Sequence, residues 1–123
     1  MPKPETGELL IRVSVAGICG SDLGGYLGHN SLRKPPLIMG HEFSGTVAAI
    51  GVGAAEKAGK PFRIGDRVTV NPLVSCGQCD RCKESREHLC PDRKLLGAGL
   101  PGAFAEFVKV PAENVHHLPD SVS

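Results

Sequence analysis

The sequence predicts a mainly β chain: a small, partly open barrel or sandwich-like body with few short helices and an inserted four-cysteine lobe. Three observations carry that expectation. Apolar residues alternate with polar ones in short runs, the period-two pattern of half-buried strands. Sixteen glycines and ten prolines in 123 residues, with no tryptophan, suit short strands joined by tight turns. Four of the five cysteines fall between Cys76 and Cys90. A chain of this length sits in the single-domain range and can bury one modest core.

Leu9 to Ala16 reads as the first strand, with Ile11, Val13 and Val15 on one face and Arg12 and Ser14 on the other. Gly17 and Gly20 break it, and Ser21 or Asp22 is placed to cap a short helical turn. Gly24 to Gly28 is poor in every propensity and reads as loop, as does Lys34-Pro35-Pro36. Phe43 to Ile50 is the second strand, Ala54 to Lys60 a polar connector, and Gly65-Asp66 a turn into a strand over Arg67–Asn71. After the cysteine excursion, Ala103 to Val110 is the last clear strand, with Phe104, Glu106 and Val108 on one side, Phe107 on the other and Pro111 ending it. Phe43, Phe62, Phe104 and Phe107 are the aromatic core candidates, and Tyr26 is either packing or pocket lining. His29, His88, His116 and His117 read as exposed, with His88 a remote alternative ligand for the cysteine lobe.

The lobe, about residues 72–94, carries the first piece of chemistry. Cys76-x2-Cys79-x2-Cys82-x7-Cys90 brings four thiolates within reach of one tetrahedral centre. Zinc accepts four sulfurs at about 2.3 Å without a geometric demand of its own. Few apolar side chains lie between Lys83 and Leu89, so burial alone cannot fold the lobe and a closed metal site supplies the free energy. Four free buried cysteines fit a polar loop badly. An iron–sulfur cluster is the sharper rival, since Cys90-Pro91 echoes a ferredoxin ending, but that run closes with a three-residue gap.

Charge excludes several partners. Fourteen basic against thirteen acidic side chains leave +1, which calls for neither nucleic acid nor an anionic membrane. An odd cysteine count with four in a metal-type cluster favours a reducing compartment, and no apolar run approaches signal-peptide or membrane-spanning character, so a cytoplasmic location is expected. Three look-alike motifs fall away. Gly97-Ala98-Gly99-Leu100-Pro101-Gly102 spells the dinucleotide fingerprint but is followed by a β-type run instead of a helix, with a proline inside it. Gly51-Val52-Gly53 lacks the third glycine. His41-Glu42 begins like a metalloprotease helix, but Gly45 stands where its second histidine belongs. Cys19, His41 and Glu42 remain, each near a glycine at an expected strand end.

Gly17-Ile18-Cys19-Gly20-Ser21-Asp22, Gly40-His41-Glu42-Phe43-Ser44-Gly45, Gly65-Asp66-Arg67-Val68, the cysteine lobe and Phe104-Ala105-Glu106 resemble, in that order, the zinc-dependent medium-chain alcohol dehydrogenases. The likeness covers nearly the whole chain and is nearest to the polyol and threonine dehydrogenase branch. It implies that residues 1–123 are the family's GroES-like catalytic domain, a partly open β-barrel. It also implies two zinc ions per chain: a catalytic one held by Cys19, His41 and Glu42, and a structural one held by Cys76, Cys79, Cys82 and Cys90. Glu42 matches a position that is a ligand in some members and a neighbour of the metal in others. Ser21 matches the hydroxyl that relays the substrate proton, and Asp22 the carboxylate that orients the metal-bound histidine. The implied reaction is oxidation of a secondary alcohol, polyol or threonine-like substrate through a zinc-bound alkoxide, with hydride passing to NAD or NADP. Zinc lowers the pKa of bound water by roughly nine units, about 12 kcal/mol of stabilisation.

Departures from the family pattern set further expectations. Gly24 stands where the next member of the proton relay is usually histidine, so the relay must end in water or another group. The match starts about one strand pair late and stops near Leu118-Pro119-Asp120, before the nucleotide-binding Rossmann domain. Residues 1–123 are therefore expected to be part of a longer enzyme, to bind zinc without turning over alone, and to self-associate, as a homo-oligomer, through unpaired edge strands. The alternative is a non-catalytic zinc module whose lobe serves folding or partner contact; metal counting separates the two.

Overall fold

A computed structural model describes residues 1–122 of the chain. Over them the elements run β1 (Glu8–Gly17), α1 (Gly20–Tyr26), β2 (Glu42–Ile50), α2 (Ala54–Ala58), β3 (Arg67–Val70), β4 (Leu73–Val74), α3 (Asp80–Lys83), a 3-10 turn (Glu87–Leu89), β5 (Lys94–Leu95), β6 (Phe107–Pro111), a second 3-10 turn (Ala112–Asn114) and β7 (Val115–His117). The main sheet has the order β6-β1-β2-β3-β7, antiparallel throughout. Its two edge strands are consecutive in sequence, joined by the turn Ala112–Asn114. Laid flat, edges four strand spacings apart would stand about 19 Å from each other. Four Cα steps from Pro111 to Val115 reach at most about 14 Å. The sheet is therefore strongly curled while its edges stay unpaired with each other, a partly open barrel.

The inward face is set by the β-branched and leucine positions. Leu9, Ile11, Val47, Val68, Val110 and Val115 are fully buried, with Phe43 and Phe62 beside them. The expected Ile11-Val13-Val15 alternation fails at its end, because Val15 is 66% exposed. A register shift lies between Val13 and Val15, where Val13 pairs with Gly45 and Val15 with Ser44. The extra residue, Ser14, reverses the inside–outside phase of the rest of the strand, as a bulge does. A second irregularity between Leu10 and Ile11 leaves both side chains buried.

Three further readings are corrected. Gly24–Tyr26 is helix, not loop, because α1 is anchored at its start by Asp22 and not carried by propensity. The polar connector contains α2, whose Ala54 is buried and whose Lys57 pairs with Glu113 at 3.3 Å. The strand expected over Ala103 to Val110 begins only at Phe107, and a further strand, β7, follows Pro111. Ala103 and Phe104 make backbone hydrogen bonds to Gly40 and Met39 instead of joining a ladder. Phe104 is consequently 39% exposed and outside the core, and Phe107 is only half-buried, while Val108 and Val110 point inward. All four histidines read as exposed are exposed, His117 while stacked on Phe62.

The cysteine excursion is closed at its base by the β4–β5 pair, Leu73 opposite Leu95 and Val74 opposite Lys94. From Cys76 to Cys90, only Cys90 is buried. Among the described residues no helix is long and apolar enough to cross a membrane.

Candidate metal centres

In the lobe, one sulfur from each of Cys76, Cys79, Cys82 and Cys90 lies within 4.8 Å of the others. The Cys76–Cys82 and Cys79–Cys82 sulfurs are 3.9 and 3.5 Å apart. Four sulfurs at about 2.3 Å from a tetrahedral ion stand about 3.8 Å from one another, so the donor set fits zinc without rearrangement. Backbone N–H groups of Gln78 and Cys79 donate to Cys76 Sγ at 3.4 and 3.3 Å, and the Cys76 N–H donates to Cys90 Sγ at 3.5 Å. The first two of these lower the Cys76 thiol to about 6. For Cys79, the backbone hydrogen bond from Cys82 lowers the pKa, but burial and the thiols of Cys82, Cys76 and Cys90 outweigh it and push it up to about 11. A cluster of sulfurs resists a second negative charge; a dipositive ion at its centre removes that conflict.

The second constellation is built by strand pairing. Gly17, the last residue of β1, is register partner to Glu42, the first of β2. Two residues beyond one and one residue before the other, Cys19 and His41 therefore leave the ladder at the same end. Their donor atoms and a Glu42 carboxylate oxygen lie within 4.8 Å of one another, and His41 Nε2 is 3.9 Å from Glu42 Oε1. Cys19 is the N-terminal flanking residue of α1, and its N–H donates to Asp22 Oδ2 at 3.0 Å. The other oxygen of that carboxylate, only 2% exposed, stands 3.5 Å from His41 Nδ1. One carboxylate thus holds the backbone of one donor and stands beside the ring of another. A metal on Nε2 requires the ring proton on Nδ1, the nitrogen that faces the Asp22 carboxylate. A thiolate, an imidazole and a carboxylate make a borderline-soft donor set that fits zinc with a coordination position left open.

Two contributors were not read from the sequence. Arg33, in the loop between α1 and β2, is buried, and its Nη2 donates to Ser21 Oγ at 3.1 Å and lies 3.5 Å from His41 Nδ1. Nothing in Ser31-Leu32-Arg33-Lys34-Pro35 distinguishes it from a solvated loop cation. The second is the glycine run 97–102, which lies behind His41. Gly40 has φ +103°, a conformation side-chain-bearing residues avoid, and a Cβ at Gly102 would meet Gly40 O at 2.3 Å. Gly102, Ala103 and Phe104 N–H groups hold the Ile38, Gly40 and Met39 carbonyls at 2.7, 3.0 and 2.9 Å. Two glycines of the run that mimics a phosphate loop, Gly97 and Gly102, are a packing surface for the Gly40 backbone that precedes His41. Tyr26 is 79% exposed and, with Gly25, Arg33, Pro35, Leu37 and Met39, lines an open cleft of about 300 Å³.

Residues 5–120 match the family model of the alcohol dehydrogenase GroES-like domain. The chain belongs to that family. The zinc-dependent medium-chain alcohol dehydrogenases named from the sequence are therefore its relatives. The GroES-like chain is 42% identical over 123 residues to the starvation-sensing protein RspB of Escherichia coli K12, covering 100% of itself and 35% of that protein. It is 42% identical over 130 residues to the sorbitol dehydrogenase of Bacillus subtilis 168, again covering 100% of itself and 35% of the relative. Among solved structures it is similar to RspB of Escherichia coli CFT073, described as a short chain alcohol dehydrogenase complexed with NADH. The TM-score is 0.87 at 41% identity, with 100% of this chain and 34% of that one covered. The GroES-like chain thus spans about a third of the length of these relatives.

Proposed function

We propose that residues 1–123 form the catalytic domain of a zinc- and NAD(P)-dependent dehydrogenase acting on a secondary alcohol, polyol or threonine-like substrate. The observation that carries this is the convergence of Cys19, His41 and Glu42 over a buried carboxylate at one end of the β1–β2 ladder. In this reading Cys19, His41 and Glu42 hold the catalytic ion, and Cys76, Cys79, Cys82 and Cys90 hold a structural one. A zinc ion held by these three residues would supply Lewis acidity toward a substrate hydroxyl, and a nicotinamide would supply the hydride acceptor.

The chain's own residues do the rest. Asp22 holds the Cys19 backbone, and its negative charge beside His41 Nδ1 favours the tautomer that leaves Nε2 to the ion. In the same reading Ser21, on the first turn of α1, takes the proton that the substrate hydroxyl gives up. Four thiolates around a dipositive ion sum to −2 and fill its coordination, which suits the lobe to shaping the protein. One thiolate and one carboxylate sum with the ion to zero and leave room for substrate. The cofactor-binding unit is a domain of the kind the relatives' remaining two thirds supply, and a homo-oligomer is the expected assembly.

Counting metals tests the assignment. The chain purified with excess zinc is expected to hold two ions, falling to one in Cys19→Ala and in His41→Ala while the four-cysteine ion stays. A wild-type chain that never exceeds one ion, or a Cys19→Ala chain that retains two, would overturn it.

A further inference from the structure

Arg33 is the charged group for which the dehydrogenase reading provides no task. Its side chain is 3% exposed, as deep as that of Asp22 at 2%. Besides its contacts with Ser21 and His41, its Nε lies 3.7 Å from Asp22 Oδ1, and neither of those two atoms has a hydrogen-bond partner. That separation is about 0.9 Å longer than a charge-assisted hydrogen bond. Burying a guanidinium is costly unless it is paired, so a fold that keeps one here has a use for it. The helix is cut to fit: a Cβ at Gly25 would meet Arg33 Cδ at 2.3 Å and Cβ at 3.0 Å, whereas one at Gly24 would meet nothing within 4 Å. Gly25 is the groove in which the arginine stem lies.

We propose that Arg33 is a positioning residue of the Cys19–His41–Glu42 centre, holding the Ser21 hydroxyl and offsetting the Asp22 carboxylate. The proposal rests on the metal reading of that centre. Asp22 is a third anionic group beside a thiolate and a second carboxylate; uncompensated, it would leave the loaded site at −1. Arg33 restores neutrality without entering the coordination sphere. Ser21 Oγ accepts from Arg33, so its own O–H is free to turn to the open side. A guanidinium takes up no proton, so the proton leaving Ser21 does not pass through Arg33.

Cobalt(II) titration of the full 123-residue chain reads both centres at once, because thiolate-to-cobalt absorption reports Cys19 separately from the four-cysteine lobe. Arg33→Met is expected to weaken cobalt uptake at the Cys19 centre by about 10–100-fold with the lobe's signal unchanged. Arg33→Lys, which keeps the charge and loses the fork, should recover part of that loss. Gly25→Ala, which displaces the stem without removing any polar group, should weaken uptake in the same direction. Should Arg33→Met lose the lobe's signal as well, Gly25→Ala decides by the same criterion. Wild-type affinity and absorption at the Cys19 centre in the folded variants overturn the proposal, and lysine performing no better than methionine overturns the charge-offset part. A wild-type chain that binds cobalt only in the lobe overturns the metal reading itself, an outcome separable from the others.

Discussion

Removing the metal from the four-cysteine lobe should unfold the lobe and leave the sheet standing. The fifteen residues from Cys76 to Cys90 include one buried side chain, that of Cys90 itself. Ordering them costs about 22 kcal/mol at roughly 1.5 kcal/mol per residue. Against this stand six backbone hydrogen bonds, from Lys83 to Cys79, Glu84 to Asp80, Ser85 to Cys82, Arg86 to Arg81, Leu89 to Arg86 and Cys90 to Glu87. At about 1 kcal/mol each they return about 6 kcal/mol. The remaining cost of about 16 kcal/mol matches the upper end of the roughly 10–16 kcal/mol that a structural zinc contributes. The sheet does not depend on this ion, since its buried set of Leu9, Ile11, Val47, Val68, Val110 and Val115 lies outside the lobe. Amide hydrogen exchange on chelator-stripped and zinc-loaded chain, with metal content measured on the same samples, is the assay. The Lys83, Arg86 and Cys90 amides should exchange at chemical rates without metal, while those of Val13 and Val47, bonded to Glu106 and Asp66 carbonyls, stay protected. Protected lobe amides in metal-free chain would refute the energy balance. Loss of protection at Val13 and Val47 would refute the independence of the sheet.

Three other perturbations are set by the same geometry. Gly102→Ala drives a methyl group into the Gly40 and Met39 carbonyls, a cost of about 1–3 kcal/mol. Calorimetry should show the melting temperature falling on the order of 5–10 °C, with the second metal lost because His41 is the next residue after Gly40. Asp66 is held below the usual carboxylate range first by the Arg63 backbone N–H and further by His117, against an opposing effect of burial. Its folded pKa is depressed, so its contribution is present above the unfolded pKa and disappears as pH falls through the folded one. Asp66→Asn should therefore lower the unfolding free energy measured in urea at pH 7, by no more than about 1 kcal/mol for so accessible a pair, and match wild type near pH 2. Asp22→Asn keeps the shape of the buried group and removes its charge; competition with a chromophoric chelator should show zinc held about 10–100-fold more weakly at the Cys19 centre and equally well in the lobe.

What could be read from the residues alone divides along a physical line. The strand body shows because β-branched alternation is local, and the lobe shows because four sulfurs at fixed spacing have few other uses. Cys19, His41 and Glu42 could be singled out because glycines mark both strand ends, even though their proximity depends on the pairing of Gly17 with Glu42. What stayed hidden is stabilised from a distance. Helix α1 contains Gly24 and Gly25, each about 1 kcal/mol worse than alanine, and exists because Asp22 is buried against Cys19 and His41. The Ser14 bulge is written in the partner strand as much as in β1. Arg33 finds its partners twelve and eight residues away, where no local pattern reaches.

The two centres also differ in what they depend on. Every donor of the lobe comes from one short segment, so that site survives any disturbance that spares Cys76–Cys90 and its hairpin base. The proposed Cys19 centre has no such autonomy: its residues are brought together by the β1–β2 register, the Asp22 tether and the glycine surface behind Gly40, with Arg33 buried beside them. A closed, self-contained site is suited only to holding structure, because nothing around it can move its ligands relative to one another. A site whose ligands come from different elements can leave one coordination position open and still keep its donors aimed, since surroundings and not the ion itself set their directions. The burial of Asp22 and Arg33 beneath a half-exposed set of donors is the physical form of that arrangement.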